Sequence, residues 1–172
     1  MSLLSRLFQR TADPREALRP LWHRVVEISR EPKWYAQHGV ADTVAGRFDM
    51  ITAALCLVLL RLERDPELKG PPVLLTELFV EDMDGQLRES GVGDVVVGKH
   101  IGRLMSVLGG RLGAYRDALA QPGEDALAAA IARNLTLVDG ADPVDTARAL
   151  RQLEQKLAEL GDDELIAGRI PQ

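Results

Sequence analysis

Chemistry that depends on cysteine or on clustered histidine has little to work with in this chain. Among its 172 residues there is one cysteine, Cys56, and there are three scattered histidines, His23, His38 and His100. A single thiol forms no internal disulfide, and the histidines supply no HExxH or Cys/His set, so no metal site is expected. Cys56 sits in "ALCLVLL" and reads as a small core residue in a reducing compartment. Aromatic residues are also scarce, at 4%. The net charge of -5 gives no reason to expect nucleic acid as a partner. The longest apolar run, "MITAALCLVLLRL", falls short of the roughly 20 residues that span a bilayer, and reads as the most buried helix of the domain. With no G-x-S-x-G elbow and no activated nucleophile, neither catalytic residues nor a cofactor are expected.

The start, "MSLLSRLFQR", lacks the apolar core and cleavage site of a signal peptide, which points to the cytoplasm. Leu3, Leu4, Leu7 and Phe8 make a short amphipathic stretch beside Arg6 and Arg10. Packing on its own domain is the favoured reading; peripheral contact with the inner face of the cytoplasmic membrane is the alternative.

Two motifs invite chemistry and fail on context. From Gly93 to Lys99 the chain reads G-x-x-x-x-G-K, a phosphate-loop pattern, but His100 stands where a magnesium-holding Ser or Thr belongs. The segment before it has helical rather than strand spacing, so Gly91 and Gly93 read as a turn between helices, with Asp94 capping the second. "EDMDG" suggests a calcium loop, yet with Gly85 at position six, Val80 and Gly91 fall where carboxylates are required.

What the sequence does hold is helix. Asp13-Pro14 is a cap and first-turn proline, followed by the stripe Leu18, Leu21, Trp22, Val25 and Val26, which Pro32 stops. "EPKWYAQHGVADT" reads as a loop. Its Trp34 and Tyr35 are either a contact surface or a plug into the core. Asp42 or Thr43 caps a helix running to about Arg64. The next helix, from about Val73 to Ser90, places Glu77, Glu81, Asp84 and Arg88 on a solvated face, and Asp82 in the apolar arc of Leu75, Leu78, Phe79 and Met83. A structural ion pair is the favoured role for Asp82, ahead of a functional one.

From Asp94 to about Ala120, Val97, Ile101, Leu104, Leu108, Leu112, Tyr115 and Leu119 form a core face. Beside them runs a strip of Gly98, Gly102, Ser106, Gly109 and Gly113. Each interior glycine costs a helix roughly 1 kcal/mol against alanine, so the strip implies a close approach. That is either a neighbour within the bundle or a groove for a helix of another protein. Two further helices follow, one in "EDALAAAIARNLTL" and one opened by Asp142-Pro143; the last residues are expected to fray. The whole predicts an all-α, single-domain bundle of about six to seven helices. Its expected parts are an amphipathic segment over 1–12, the helical domain over 13–160 and a tail over 161–172.

Two blocks, "WYAQHGVADTVAGRFDMITAALCLVLLRL" and "LFVEDMDGQLRESGVGDVVVGKHIGRLMSVLGGRLGAYRDAL", carry a resemblance. In the combination of W-Y, G-R-F-D, D-M-D-x-x-L-R-E and G-V-G-D-x-x-V-G-K the chain resembles the ubiquinol-cytochrome c chaperones, assembly factors of the cytochrome bc1 complex. The likeness covers about residues 34–119. It implies a non-enzymatic helical chaperone whose client is newly made cytochrome b or another bc1 subunit. It also implies, from mitochondrial members, contact with the ribosome and a small partner protein. Among the matched positions, Trp34, Tyr35, Arg47, Phe48, Asp49, Asp82, Arg88, Asp94, Gly98 and Lys99, joined by Gly102 and Gly109 of the strip, form the candidate client-binding set. Two other readings stand beside this one: a small enzyme pairing Asp82 with Lys99 or His100, and an interaction module for an unrelated partner. Haem is neither supported nor forbidden.

Overall fold

A computed structural model describes residues 13–89 and 94–171, and for 87, 88 and 94–100 the backbone alone. The described chain is helical throughout, its extended pairing limited to an isolated bridge between Val40 and Leu137. A 3-10 turn over Pro14–Leu18 runs straight into α1 (Arg19–Ser29). The short α2 (Pro32–Ala36) and the central α3 (Val44–Leu62) follow. Then come α4 (Gly70–Glu89), α5 (Asp94–Leu119), α6 (Asp125–Asn134), α7 (Pro143–Glu159) and the short α8 (Asp162–Ile166). Six of these exceed or equal ten residues, as the hydrophobic stripes predict.

α3 is buried along most of its circumference, because its sequence is apolar all round. α1, α5 and α7 pack around it, with α4 touching it more lightly. Cys56 lies at its centre, and burial pushes the thiol up to about 12. The sequence's glycine-proline run before α4 does not delay that helix. Gly70, Pro71 and Pro72 form its first turn, where the missing amide protons have no helical partner to lose.

Two expectations are corrected. The segment around Trp34 is not a plain loop: Pro32 opens α2, and the Trp34 ring is 1% exposed. Its indole nitrogen donates to the Ile28 carbonyl at 2.6 Å, and the Tyr35 hydroxyl donates to Ser29 at 2.7 Å. The two aromatics thereby bond carbonyls of the last turn of α1, that of Ile28 also accepting from the Glu31 amide. Nor do the last described residues fray. Leu165 and Ile170 are core residues, Arg24 donates to the Ile170 carbonyl at 2.9 Å, and Arg61 pairs with Asp162 at 2.8 Å. At Gly168, whose φ is +70°, a Cβ would sit 2.6 Å from the Pro20 carbonyl oxygen. Only glycine lets the tail lie that close to α1.

The start of α3 is fixed by a compact set of contacts. Thr43 caps it, its hydroxyl accepting from the Gly46 amide at 3.1 Å. A Cβ on Gly46 would stand 2.0 Å from the Ala41 carbonyl oxygen, so the helix can only enter here on glycine. One turn on, Asp49 is 7% exposed. One of its carboxylate oxygens accepts from Arg111 of α5 at 2.5 Å. The other accepts from the amide and hydroxyl of Thr136, beyond α6, at 2.9 and 2.7 Å. Ala41 donates to the Thr136 carbonyl at 2.9 Å, completing the join between the two loops.

Three outcomes follow for stability. Gly46→Ala should cost about 3 kcal/mol by forced backbone displacement. Asp49→Ala should cost about 3–5 kcal/mol, because Arg111 stays buried without its partner. Both are read as lowered urea midpoints in equilibrium unfolding. Iodoacetamide at mildly alkaline pH should leave Cys56 unlabelled in the native protein and label it once the chain is unfolded.

Candidate functional site

α4 and α5 diverge enough to leave an open cleft of about 860 Å³ between them, closed at one side by the end of α3 and by the 3-10 turn. Its walls are apolar: Val73 and Val80 from α4, Ile101, Met105 and Leu112 from α5, and Leu59 from α3. Val73 and Met105 are among the few large hydrophobic side chains of the described chain that stand exposed. The rim is mainly acidic, with Glu77, Glu81 and Asp84 on α4 and Glu63 at the end of α3. Arg15 is the cation among the lining residues. It reaches Glu81 at 3.1 Å and Asp13 at 2.6 Å, tying the 3-10 turn to α4. The hydrogen bonds from Arg15 hold the Asp13 carboxyl down to about 2. Glu63 is bridged by Arg116 of α5 at 2.5 Å.

The small-residue strip of α5 lies on the flank of the helix beside its cleft-lining residues and does not itself line the cleft. Helical steps of 100° carry Gly102, Ser106, Gly109 and Gly113 along the flank next to Ile101, Met105 and Leu112. Gly102, Ser106 and Gly109 are exposed, and a Cβ built on Gly102, Gly109 or Gly113 meets nothing within 4 Å. Among the described residues, therefore, no internal neighbour uses the strip. Of the two sequence readings, a packed internal neighbour finds no counterpart among the described residues, where the strip is an open face.

The sequence-derived candidates separate into groups. Gly102 and Gly109 do not line the cleft; they lie on the exposed flank of α5 beside its wall. Tyr35, Arg47 and Phe48 gather instead at the start of α3. The Arg47 guanidinium lies over the Tyr35 ring at 5.8 Å and bonds Asp42 at 2.6 Å, while Arg111 lies over Phe48 at 5.7 Å. This cluster is part exposed, with Val44 beside it in sequence 88% exposed. Trp34 and Asp49 are buried in the fold, where their contacts are with the chain itself. Asp82 is half-buried, makes no ion pair with a described residue and does not line the cleft. Asp84, assigned by helical angle to the solvated face, lines the cleft with Glu77 and Glu81 and is half-buried, with one carboxylate oxygen buried. Gly98 lies in the backbone of α5; the side chains of Arg88, Asp94, Lys99 and His100 lie outside the described residues, as do Gly91 and Gly93.

Sequence reasoning gave no site role to Val73, Val80 and Met105, half of the apolar wall, and read Ile101 and Leu112 as core. Met105 carried a signal: it falls between the core stripe and the glycine strip, where a buried face and an exposed one meet. Arg111, which holds α5 to α3, was also missed.

The residues present do not converge as a metal centre. Among the described residues no three His, Cys, Asp or Glu side chains group closely enough to hold an ion. No described helix is long and apolar enough to cross a membrane. The G-K pattern at Gly98 and Lys99 lies inside the start of a helix and follows the helix α4, not a strand, so the phosphate-loop context is missing. A second cavity, about 70 Å³ beside Trp34 and His38, is far below the size of an ordinary ligand pocket.

In comparison with known proteins, no curated protein matches the chain in sequence. The crystal structure of the Cbp3 homolog from Brucella abortus is similar, with a TM-score of 0.79 and 32% identity over 98% of this chain and 95% of that one. The sequence pattern described as Ubiquinol-cytochrome C chaperone matches residues 36–171, spanning the Asp49 contacts, the cleft and the terminal helix, and the chain belongs to that family.

Proposed function

We propose that this protein is an assembly chaperone of the bc1 complex that receives newly made cytochrome b in the α4–α5 cleft. The observation that carries the reading is the apolar-walled cleft, with a glycine strip on the neighbouring flank of α5 that no described part of the chain covers. Apolar surface left open to water is favourable to cover, at about 25 cal/mol per Å². A strip without side chains lets the backbone of an apolar helix approach closely. The mechanism is shielding: the cleft takes an apolar segment of the client out of water until its assembly partners arrive, with no nucleotide turnover. The chaperone would act at the cytoplasmic face of the membrane, where the client inserts. Tyr35, Arg47 and Phe48 form a second contact surface for a further partner. An enzyme built on Asp82 has less support, since Asp82 stands apart from the cleft.

The test is a tagged pull-down from membranes of the native cell in mild detergent, read by mass spectrometry, with wild type and a Gly102→Leu/Gly109→Leu variant. Wild type should enrich cytochrome b. The variant should fold at least as stably, because each replaced glycine returns about 1 kcal/mol of helix propensity into open space. It should lose cytochrome b about tenfold, the equivalent of roughly 1.4 kcal/mol of binding. A variant that unfolds would return the strip to internal packing. Wild type that never enriches cytochrome b would remove the client.

A further inference from the structure

One carboxylate on the wall of the α4–α5 cleft is left over when the others are accounted for. Among the polar residues lining it, Glu63 is bridged by Arg116, Glu81 is held by Arg15, and Asp84 has an interaction of its own. The Thr76 hydroxyl donates to the Pro72 carbonyl at 2.8 Å. Arg15 feels the charge of Glu77, but its guanidinium nitrogens bond Asp13 and Glu81. Glu77 is exposed and has no hydrogen bond or ion pair with a described residue. It does not stand at an end of the cleft. Val73 lies four residues before it and Val80 three after, on one stripe of α4, and Ile101, Met105 and Leu112 of α5 make the facing wall. A free carboxylate therefore interrupts an apolar surface.

That placement limits what can fill the cleft. An occupant that covers Val73 and Val80 takes water from Glu77 between them, and a carboxylate stripped of water without a partner opposes binding. A wholly apolar segment meets that penalty. A segment with a lysine or arginine opposite Glu77 replaces the lost hydration with a charge-assisted hydrogen bond. Length points the same way. The lining part of α4, from Pro72 to Asp84, is about 18 Å long, and that of α5, from Ile101 to Leu112, about 16 Å. Each is little more than half of the roughly 30 Å that a whole membrane span crosses.

We propose that the cleft takes the end of a client span, a helix of about three turns in which apolar residues give way to lysine or arginine, with one of those cations paired to Glu77. Lysine and arginine concentrate where spans meet the cytoplasm, so this is the end that a chaperone on that side encounters. The inference rests on the client reading above and adds a determinant of choice to it. Glu77 selects the charged boundary of a span over its apolar middle.

The test uses fluorescein-labelled amphipathic peptides of about twelve residues, matched to the length of the walls. They are built from leucine, alanine and serine and differ only in a central lysine, glutamine or glutamate. Binding to the full-length protein is read by fluorescence anisotropy for wild type, Glu77→Gln, Glu77→Lys and Met105→Asp. Glu77 and Met105 are both exposed, and thermal unfolding checks that each variant is folded. Wild type should bind the lysine peptide about fivefold more tightly than the glutamine peptide, a preference that shrinks as salt is raised. Glu77→Gln should erase the preference, and Glu77→Lys should transfer it to the glutamate peptide. Met105→Asp, in the facing wall, should weaken the binding of all three. Absence of binding, or equal affinity of wild type for the lysine and glutamine peptides, would overturn the inference. So would a lysine preference that survives Glu77→Gln, or binding indifferent to Met105→Asp. Failure here leaves the pull-down result standing, and a pull-down without cytochrome b removes the client while leaving the Glu77 preference in place.

Discussion

The buried carboxylate of Asp49 is where three distant parts of the chain are joined, and the placement of the cleft depends on it. A charge removed from water is tolerable only when it is paired and its remaining lone pairs are filled. Arg111 supplies the charge from α5, and Thr136 supplies two hydrogen bonds from the loop beyond α6. The second half of α5 is thereby drawn onto α3, with Tyr115 buried one turn beyond Arg111. On another flank of the helix, Ile101, Met105 and Leu112 are left to line the cleft with α4. Two helices held at one end and facing each other across apolar side chains at the other form a cleft as a matter of geometry.

Glycine serves two opposite purposes along this chain. At Gly46 and Gly168 it permits a backbone approach that any side chain would block, so these residues are fixed by folding. At Gly102, Gly109 and Gly113 nothing crowds the missing side chain. Those positions cost the helix propensity without returning any packing inside the described fold. Proteins accept such a cost where function needs it. The family motifs divide in the same way. The W-Y pair closes the end of α1, and Gly46 and Asp49 of G-R-F-D lock the start of α3, whereas the cleft wall is made of ordinary apolar residues outside those motifs.

That division explains what the sequence could say. Helix positions were legible because their signals are local: Pro14 and Pro143 in first turns, Thr43 as a cap, and leucines at helical spacing. The all-α class followed from them. The destination of Trp34 was not legible, because its hydrogen bond is to a carbonyl exposed only once α1 has ended. The ordered tail escaped notice because α8 is five residues long and held by Arg24 and Arg61, contacts with no local signature. Helical angles correctly grouped Glu77, Glu81 and Asp84, but could not show that this face borders a cleft, since an angle names a direction and not a neighbour. The glycine strip was visible as a pattern, and which side of it faced the bundle was a tertiary fact.

The burial of Trp34 has an optical consequence. The chain's two tryptophans, Trp22 and Trp34, are both in the core, the first edge-on to Phe79 and the second bonded to a backbone carbonyl. Neither lines the cleft. Intrinsic fluorescence of this protein is therefore a reporter of the folded state that stays nearly blind to whatever fills the cleft, and occupancy has to be followed by a dye placed at its wall.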